Sequence, residues 1–279
     1  MPKKTPILII GNAAHDILIN QNGEIVKCLG GSAPYISKVL LGLNIPYNVV
    51  SHVGHDFKYL YNCPFFPSFF KTSSTTTFIN FNSIPRVQKV IKCCRPIFPK
   101  EIKYFSDIAV VCSIIGEIPP VTIRKIRSNS KILIADIQGF IRKRQKDGSV
   151  ILSHIDDTLY SKSIFLFDFI KVSEEEIEYI DLTKLVRGGV KVLVTRAGNG
   201  CHLYYQNSSI YIPTFSIKPL DSTGAGDSFL AGFVAGLYNN ISIQNSIELG
   251  HKCASIAIKF IGIPDKEQFI TLKFGYYDK

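Results

Sequence analysis

The sequence predicts an α/β protein with a parallel-rich central sheet and a small β-flap. Three observations point there. Short β-branched runs alternate with helical segments along most of the 279 residues. Two groups of alternating Thr-, Ile- and Val-containing strands break that rhythm. A glycine-rich stretch, "KPLDSTGAGDSFLAGF" (218–233), passes directly into an apolar helical pattern.

Taken in order, "PILIIG" (6–11) reads as a buried strand ending in a functional turn. "DILINQNGEIVKCLGG" alternates around Asn22-Gly23 and predicts a β-hairpin projecting from the sheet. "GGSAPYISKVLLGLN" predicts a helix and "PYNVVSHVG" a second strand, so the first fifty residues form a right-handed βαβ unit. "TTTFINF" and "RVQKVIKCC", joined by "NSIP", predict a further strand pair outside the rhythm. From about residue 107 the alternation resumes through "DIAVVCS", the helical "PPVTIRKIRS", "KILIAD", "SIFLFDFIKVS", an acidic helix start "EEEIEYI", and "VKVLVTRAG". "CHLYYQNSSIYIPTF" predicts a hairpin, and helices follow at about 225–239 and 242–261. A flap over the ligand-binding end of such a sheet could exclude water on closure.

Composition narrows the function. Hydrophobic residues make up 46% and charged residues 19%, which is globular and not disordered. No apolar run approaches the roughly 18 residues of a membrane span, and the apolar run after Lys3-Lys4 is too short for a secretory signal. A soluble, cytoplasmic protein without a membrane partner is therefore expected. Seven scattered cysteines without a CxxC pair do not form a disulfide framework. His52, His55 and Cys63 resemble metal-ligand spacing only loosely, with no second cluster to complete four ligands. The formal charge of +10 and the run "RKRQK" (142–146) suggest nucleic acid, but the other cations are dispersed without interleaved aromatics. A solvated basic surface, with no nucleic-acid partner, is the expectation.

The chemistry concentrates at 221–227. Gly224 and Gly226 can present bare N–H groups at a helix start, where the dipole adds about half a positive charge. That is an anion site. An ionised Asp227 beside a bound phosphate would be repulsive unless it accepts a proton from an alcohol attacking phosphorus, which is what phosphoryl transfer requires. There is no GxxxxGK[ST] loop, and "GNAAHD" lacks the second glycine of GxGxxG. Neither G-x-S-x-G nor HExxH occurs.

"DSTGAGDSFLAGF" resembles the C-terminal signature of the ribokinase-like (PfkB-type) carbohydrate kinases, D-T-x-G-A-G-D-x-F. Gly30-Gly31 opening the first helix, Asp16 after the first strand, and "TRAG" after the strand near 190 extend the resemblance over nearly the whole chain. It implies a three-layer ribokinase-like fold in a single domain over 1–279, with lid strands inserted at about 17–29 and 75–95. It also implies an ATP-dependent kinase in which Asp227 is the base and Gly224, Ala225 and Gly226 complete the anion hole. Asp16, Gly30 and Gly31 would receive the polyol, and Thr195, Gly198 and Ser173 would lie along ATP. Glu176 matches the acid of the family's N-x-x-E motif, which organises Mg²⁺, while Ser173 replaces its asparagine. Asp221 becomes a candidate for holding a monovalent cation such as K⁺.

Two departures bear on the acceptor. Tyr35 and Ala14 stand where ribose and fructose kinases usually carry asparagine, and an aromatic there offers an apolar wall in place of an amide. "HDILINQ", "LGGSAPYIS", "RVQKVIKCCRPI" and "DIQGFIR" are similar to the plant-type inositol 3-kinase branch, which makes Gln138 and Arg142 candidate polyol contacts. The resemblance implies a myo-inositol kinase acting as a monomer or homodimer. The alternatives are another sugar, a nucleoside or an inositol phosphate as acceptor, or a kinase-like scaffold without activity.

Overall fold

The structure is a computed structural model that describes residues 4–20, 22–81, 87–206 and 208–272. The "NSIP" connection falls outside them. The chain opens with β1 (Ile7–Ile10), four β-branched or leucine residues with no solvent exposure. It turns directly into β2 (Ala14–Ile19) and β3 (Ile25–Gly30), then α1 (Ser32–Gly42) and β4 (Tyr47–Val50). The predicted strand "PYNVVSHVG" divides here. Its second part, β5 (His52–Gly54), leaves the main sheet to pair with β6 (Ser68–Phe70), and at that break the Asn12 side chain accepts the His52 N–H at 2.8 Å.

Next come β7 (Thr76–Phe81), β8 (Val87–Lys92), β9 (Ser106–Val111), α2 (Pro120–Ser128), β10 (Ser130–Asp136) and the single turn α3 (Gln138–Ile141). A short hairpin of β11 (Arg142–Arg144) and β12 (Val150–Leu152) precedes β13 (Phe169–Ser173), α4 (Leu182–Arg187) and β14 (Lys191–Thr195). "SIFLFDFIKVS" is thus a strand only from Phe169, and "EEEIEY" is a 3₁₀ turn at Glu174–Tyr179. The hairpin β15 (Cys201–Tyr205) and β16 (Ser208–Ile212) leads to α5 (Ala225–Tyr238) and α6 (Ile243–Ala257).

The main sheet has eight strands in the order β16-β15-β14-β13-β10-β9-β1-β4, parallel from β14 to β4, with β15 and β16 antiparallel at one edge. Because both faces are covered, the central strands read as continuous apolar runs. On one face Ile9, Val110 and Ile134 pack against α1, α5 and α6 through Ile36, Phe233 and Ile247. On the other, Leu8, Val111 and Ala135 pack beneath α2 and α4 through Ile123, Ile126 and Leu185. This is a three-layer α/β/α body.

A second, four-stranded sheet has the order β3-β2-β7-β8, with β2 parallel to β7 and antiparallel to β3. It stands over the ends where β10, β13 and β14 stop, the end at which open α/β sheets bind ligands. Among the described residues no helix is long and apolar enough to cross a membrane, and no group of three metal-ligating side chains is found. His52 is buried and pairs instead with Glu101, at 3.3 Å. All seven cysteines are free thiols.

Candidate active site

Two cavities meet at the N-terminus of α5. One, of about 70 Å³, lies under the four-stranded sheet and is lined by Asp16, Gly31, Tyr35, Phe78 and Asn80. The other, of about 440 Å³, runs along the ends of β10, β13 and β14 past Lys171, Glu176 and Thr195 to His251. Gln88, Gln138, Arg142, Gly224 and Asp227 line both.

Gly224 caps α5 in the left-handed conformation, with φ 77°. A Cβ there would lie 2.0 Å from Cε1 of Tyr35, whose ring is wedged under the turn. The tyrosine is therefore a support for the turn at the start of α5 as well as a pocket wall. Its hydroxyl is buried without a hydrogen-bond partner among the described residues, and burial together with Asp16, Cys28, Asp221 and Asp227 keeps the phenol protonated. Gly224→Ala is expected to lower kcat/KM at least about 100-fold and to reduce Tm, because a side chain cannot enter without moving Tyr35 or leaving positive φ. A coupled kinase assay and a thermal melt measure both.

Asp227 sits in the first turn of α5. Desolvation, reinforced by the Asp136 charge, raises its carboxyl to a pKa of about 7, against the pull of Ser32, Lys171 and Arg142. Its Oδ1 is buried and has no hydrogen-bond partner among the described residues. An unpaired carboxylate oxygen between two cavities is available to take a proton.

Lys171, near the end of β13, was not marked by any sequence motif. Its ammonium is 2.8 Å from Asp136 Oδ2, with the two side chains 7% and 1% exposed. Burial alone would lower its pKa, but Asp136, Glu176 and Asp227 outweigh that and hold it charged. The close approach explains Gly226, since a Cβ there would lie 2.7 Å from Nζ. The α5 start thus has both backbone donors and a buried cation facing the larger cavity.

Glu176 is also buried, and its Oε2 accepts the Ser173 N–H at 2.8 Å in a capping box. Burial pushes this carboxyl up, and Lys171, Ser173 and Arg142 together bring it below the ordinary value. Gln138 donates from Nε2 to Ser32 Oγ at 2.9 Å and from its backbone to Asp136 Oδ1. Ser32, which the sequence reading did not single out, consequently stands between Gln138 and Asp227. Arg142 donates to the Ile114 carbonyl and lies over the Phe78 ring, 6.0 Å from its centroid.

Other predicted residues take different places. Asp16 faces the smaller cavity from β2, and its carboxylate occupies the space above Gly30, where a Cβ would lie 2.3 Å from Cγ. Gly30 therefore makes room for Asp16, and only Gly31 of the pair lines the pocket. Ala14 is fully buried at the root of the flap and lines neither cavity. Ser173 and Thr195 line the larger cavity, but Gly198 does not: it packs on Ser216, and its neighbours Ala197 and Gly200 line the wall. Asp221 lines neither cavity; its Oδ1 accepts the Thr223 N–H and its Oδ2 is buried without a partner among the described residues.

A glycine-capped helix start, a raised carboxyl and a buried cation thus stand together where the two cavities meet. Comparison with known proteins supplies the family. The profile of the "pfkB family carbohydrate kinase" matches residues 141–263. "Inositol 3-kinase" of Arabidopsis thaliana is 32% identical over 276 residues, covering 94% of this chain and 77% of that protein. "Inositol 3-kinase" of Zea mays is 31% identical, covering 92% and 73%. A solved pyrophosphate-dependent kinase of the ribokinase family, complexed with a pyrophosphate analog and myo-inositol, superposes with a TM-score of 0.77 at 22% identity, covering 94% of this chain and 98% of that one. Arabidopsis thaliana ribokinase complexed with ribose and ATP gives 0.74 at 16%, covering 97% and 99%. This chain belongs to the pfkB family of carbohydrate kinases and has the ribokinase-like fold. It is a sugar or polyol kinase.

Proposed function

We propose that this protein transfers the γ-phosphate of ATP to one hydroxyl of myo-inositol. The observation that carries this reading is Asp227, which lines both cavities with an unpaired oxygen and a pKa near neutrality. The polyol occupies the smaller cavity, oriented by Asp16, Gln138 and Arg142, with the Gly31 backbone beside it. Asp227 accepts the hydroxyl proton as that oxygen attacks the γ-phosphorus. The bond from phosphorus to the β-phosphate oxygen breaks, and ADP leaves. The N–H groups of residues 224–227 and the Lys171 ammonium face the charge that develops on the transferring group.

The donor assignment rests on the far end of the larger cavity. His251 there has a buried Nε2 without a partner among the described residues, and it also borders a slot of about 420 Å³ lined by Pro213, Phe215 and Ile217. An apolar slot beside a ring nitrogen suits a nucleobase, whereas pyrophosphate would have no use for it. A divalent cation neutralises phosphate charge in such reactions, and Glu176 fits its retention, being a buried carboxylate held ionised in the same cavity. Asp221 fits a monovalent cation through its unpartnered Oδ2. The acceptor assignment rests on the two plant relatives and on the polar lining of the smaller cavity, where Asp16, Gln138 and Arg142 can hydrogen-bond hydroxyls.

The test presents ATP and Mg²⁺ with myo-inositol, ribose, fructose, adenosine and an inositol monophosphate, and repeats the set with pyrophosphate as donor. The highest kcat/KM is expected for ATP with myo-inositol. Faster turnover of another acceptor would overturn the substrate, and turnover with pyrophosphate alone would overturn the donor.

A further inference from the structure

The sequence from Phe57 to Lys100 contains seven lysines and arginines, ten aromatic residues, and no aspartate or glutamate. A short part of the chain thus carries most of its formal charge of +10. Residues 57–71 comprise an irregular loop, β6 and Lys71, and this stretch is firmly held. Tyr47 donates its hydroxyl to the Pro64 carbonyl at 2.8 Å, the Lys58 N–H donates to His15 Nε2 at 3.2 Å, and the Ser68 N–H donates to the Ser51 carbonyl at 2.8 Å. Cys63 and Phe65 turn inward onto Ala13, Leu29 and Val53.

Three rings of this anchored loop nevertheless face solvent. Tyr61 is fully exposed, Phe66 is 78% exposed and Phe69 41%. Phe69 touches Phe66 and Phe57, with ring centroids 5.8 and 6.3 Å apart, and His15 of β2 stacks on Phe57 at 5.7 Å. The aromatic surface therefore continues onto the outer face of the flap. Lys92 and Arg95 of the same acid-free sequence are engaged, with Asp56 at 2.9 Å and Glu101 at 3.4 Å, whereas Lys58 and Lys71 extend into solvent on either side of the rings. Holding rings outward on a tethered loop forgoes the stabilisation of burying them, and contiguous exposed apolar surface rimmed by charge marks a contact site.

The chemistry selects the partner. Aromatic side chains settle at the headgroup level of a bilayer, and lysines beside them meet anionic headgroups. Stacking of nucleic-acid bases needs open platforms in line, whereas Phe66 and Phe57 are tilted from Phe69 by 56° and 65°. We propose that residues 57–71 form a docking surface for a bilayer rich in anionic lipid, with Tyr61, Phe66 and Phe69 at headgroup depth and Lys58 and Lys71 against the lipid phosphates. Successive residues of a strand face opposite sides, so His15 belongs to this surface while Asp16 faces the smaller cavity. A docked protein keeps that cavity turned away from the lipid. The expectation of no membrane partner rested on the lack of a spanning run, and a surface contact requires none.

The chain has no tryptophan, so Tyr61→Trp adds a single fluorescent reporter to the loop. Wild type, Tyr61→Trp, the double variant Tyr61→Ser with Phe66→Ser, and the double variant Lys58→Gln with Lys71→Gln are sedimented with phosphatidylcholine vesicles, with and without phosphatidylserine, at low and high salt. Wild type is expected to bind the phosphatidylserine vesicles only, more weakly at high salt, and the tryptophan emission to shift to the blue on binding. Removal of the two lysines should weaken binding about 30-fold, and removal of the two rings at least about tenfold. Thermal melts verify that each variant folds. Absence of vesicle binding would overturn the proposal. Binding that survives loss of the rings, or that leaves the tryptophan emission unshifted, would overturn it too, because the basic surface as a whole would then be responsible. Ring-dependent binding of an oligonucleotide, or ring-dependent self-association in sedimentation equilibrium, without vesicle binding, would overturn it in favour of nucleic acid or a second copy of the chain.

Discussion

Asp227→Asn is expected to lower kcat about 10²–10⁴-fold while leaving ATP affinity nearly unchanged, since it removes the proposed base and keeps the shape of the α5 start. The wild-type pH profile is the companion result. In its proposed role Asp227 works as a carboxylate, and its pKa is raised from 3.8 to about 7 by desolvation and then by Asp136. Below pH 7, kcat/KM should fall tenfold per pH step, and above it the profile should level off. A profile flat down to pH 5 would remove Asp227 from the role. Stability carries the opposite sign. A folded-state pKa above the unfolded value means that the contribution of this group is fully present below pH 3.8 and is lost as pH rises through 7. At pH 8 the asparagine variant should therefore be more stable than wild type, by at most roughly 4 kcal/mol. A variant that is slower yet melts higher at pH 8 separates a catalytic loss from a folding defect.

Lys171→Met should produce the second large effect, on stability and turnover together. The ammonium is enclosed with Asp136 at 2.8 Å and held charged by Asp136, Glu176 and Asp227. Removing one partner of a buried pair typically costs about 3–5 kcal/mol because the other charge is left uncompensated. The loss should be greatest at pH 8 and smaller near pH 5, where the stranded carboxylates take up protons. Lys171→Met combined with Asp136→Asn should recover most of the stability, read as Tm, and little of kcat. Recovery of both would show that Lys171 serves only the fold. Recovery of stability alone would place its charge in the transfer.

The site was partly legible in the sequence because part of it is local. Gly224, Ala225, Gly226 and Asp227 are consecutive, so a helix start, its dipole and a carboxylate in the first turn can be read from spacing alone. The βα rhythm and the flap segments were legible for the same reason, because period and turn chemistry are local properties. Boundaries were less so. "SIFLFDFIKVS" is apolar throughout, and nothing in its pattern shows that Ser163–Leu166 forms a 3₁₀ turn before the strand begins at Phe169. "PYNVVSHVG" divides where His52 donates to Asn12, 40 residues earlier, and β5 pairs with β6, contacts that no local pattern reveals.

What the sequence determined by itself was the α/β class, the glycine-rich start of α5, the acid in its first turn, and through their resemblance the carbohydrate-kinase family. Tertiary structure alone decided the rest. Gln138 reaches Ser32 across 106 residues, Lys171 meets Asp136 across 35, and β2 lies alongside β7. Tyr35 becomes a wedge only because α1 carries it under Gly224. Gly30 is glycine because Asp16 fills its missing side chain's place. Such pairings are set by the packing of a three-layer core, in which the sheet order brings distant strand ends together. A linear pattern carries the chemistry of each residue, and the fold alone selects its neighbours.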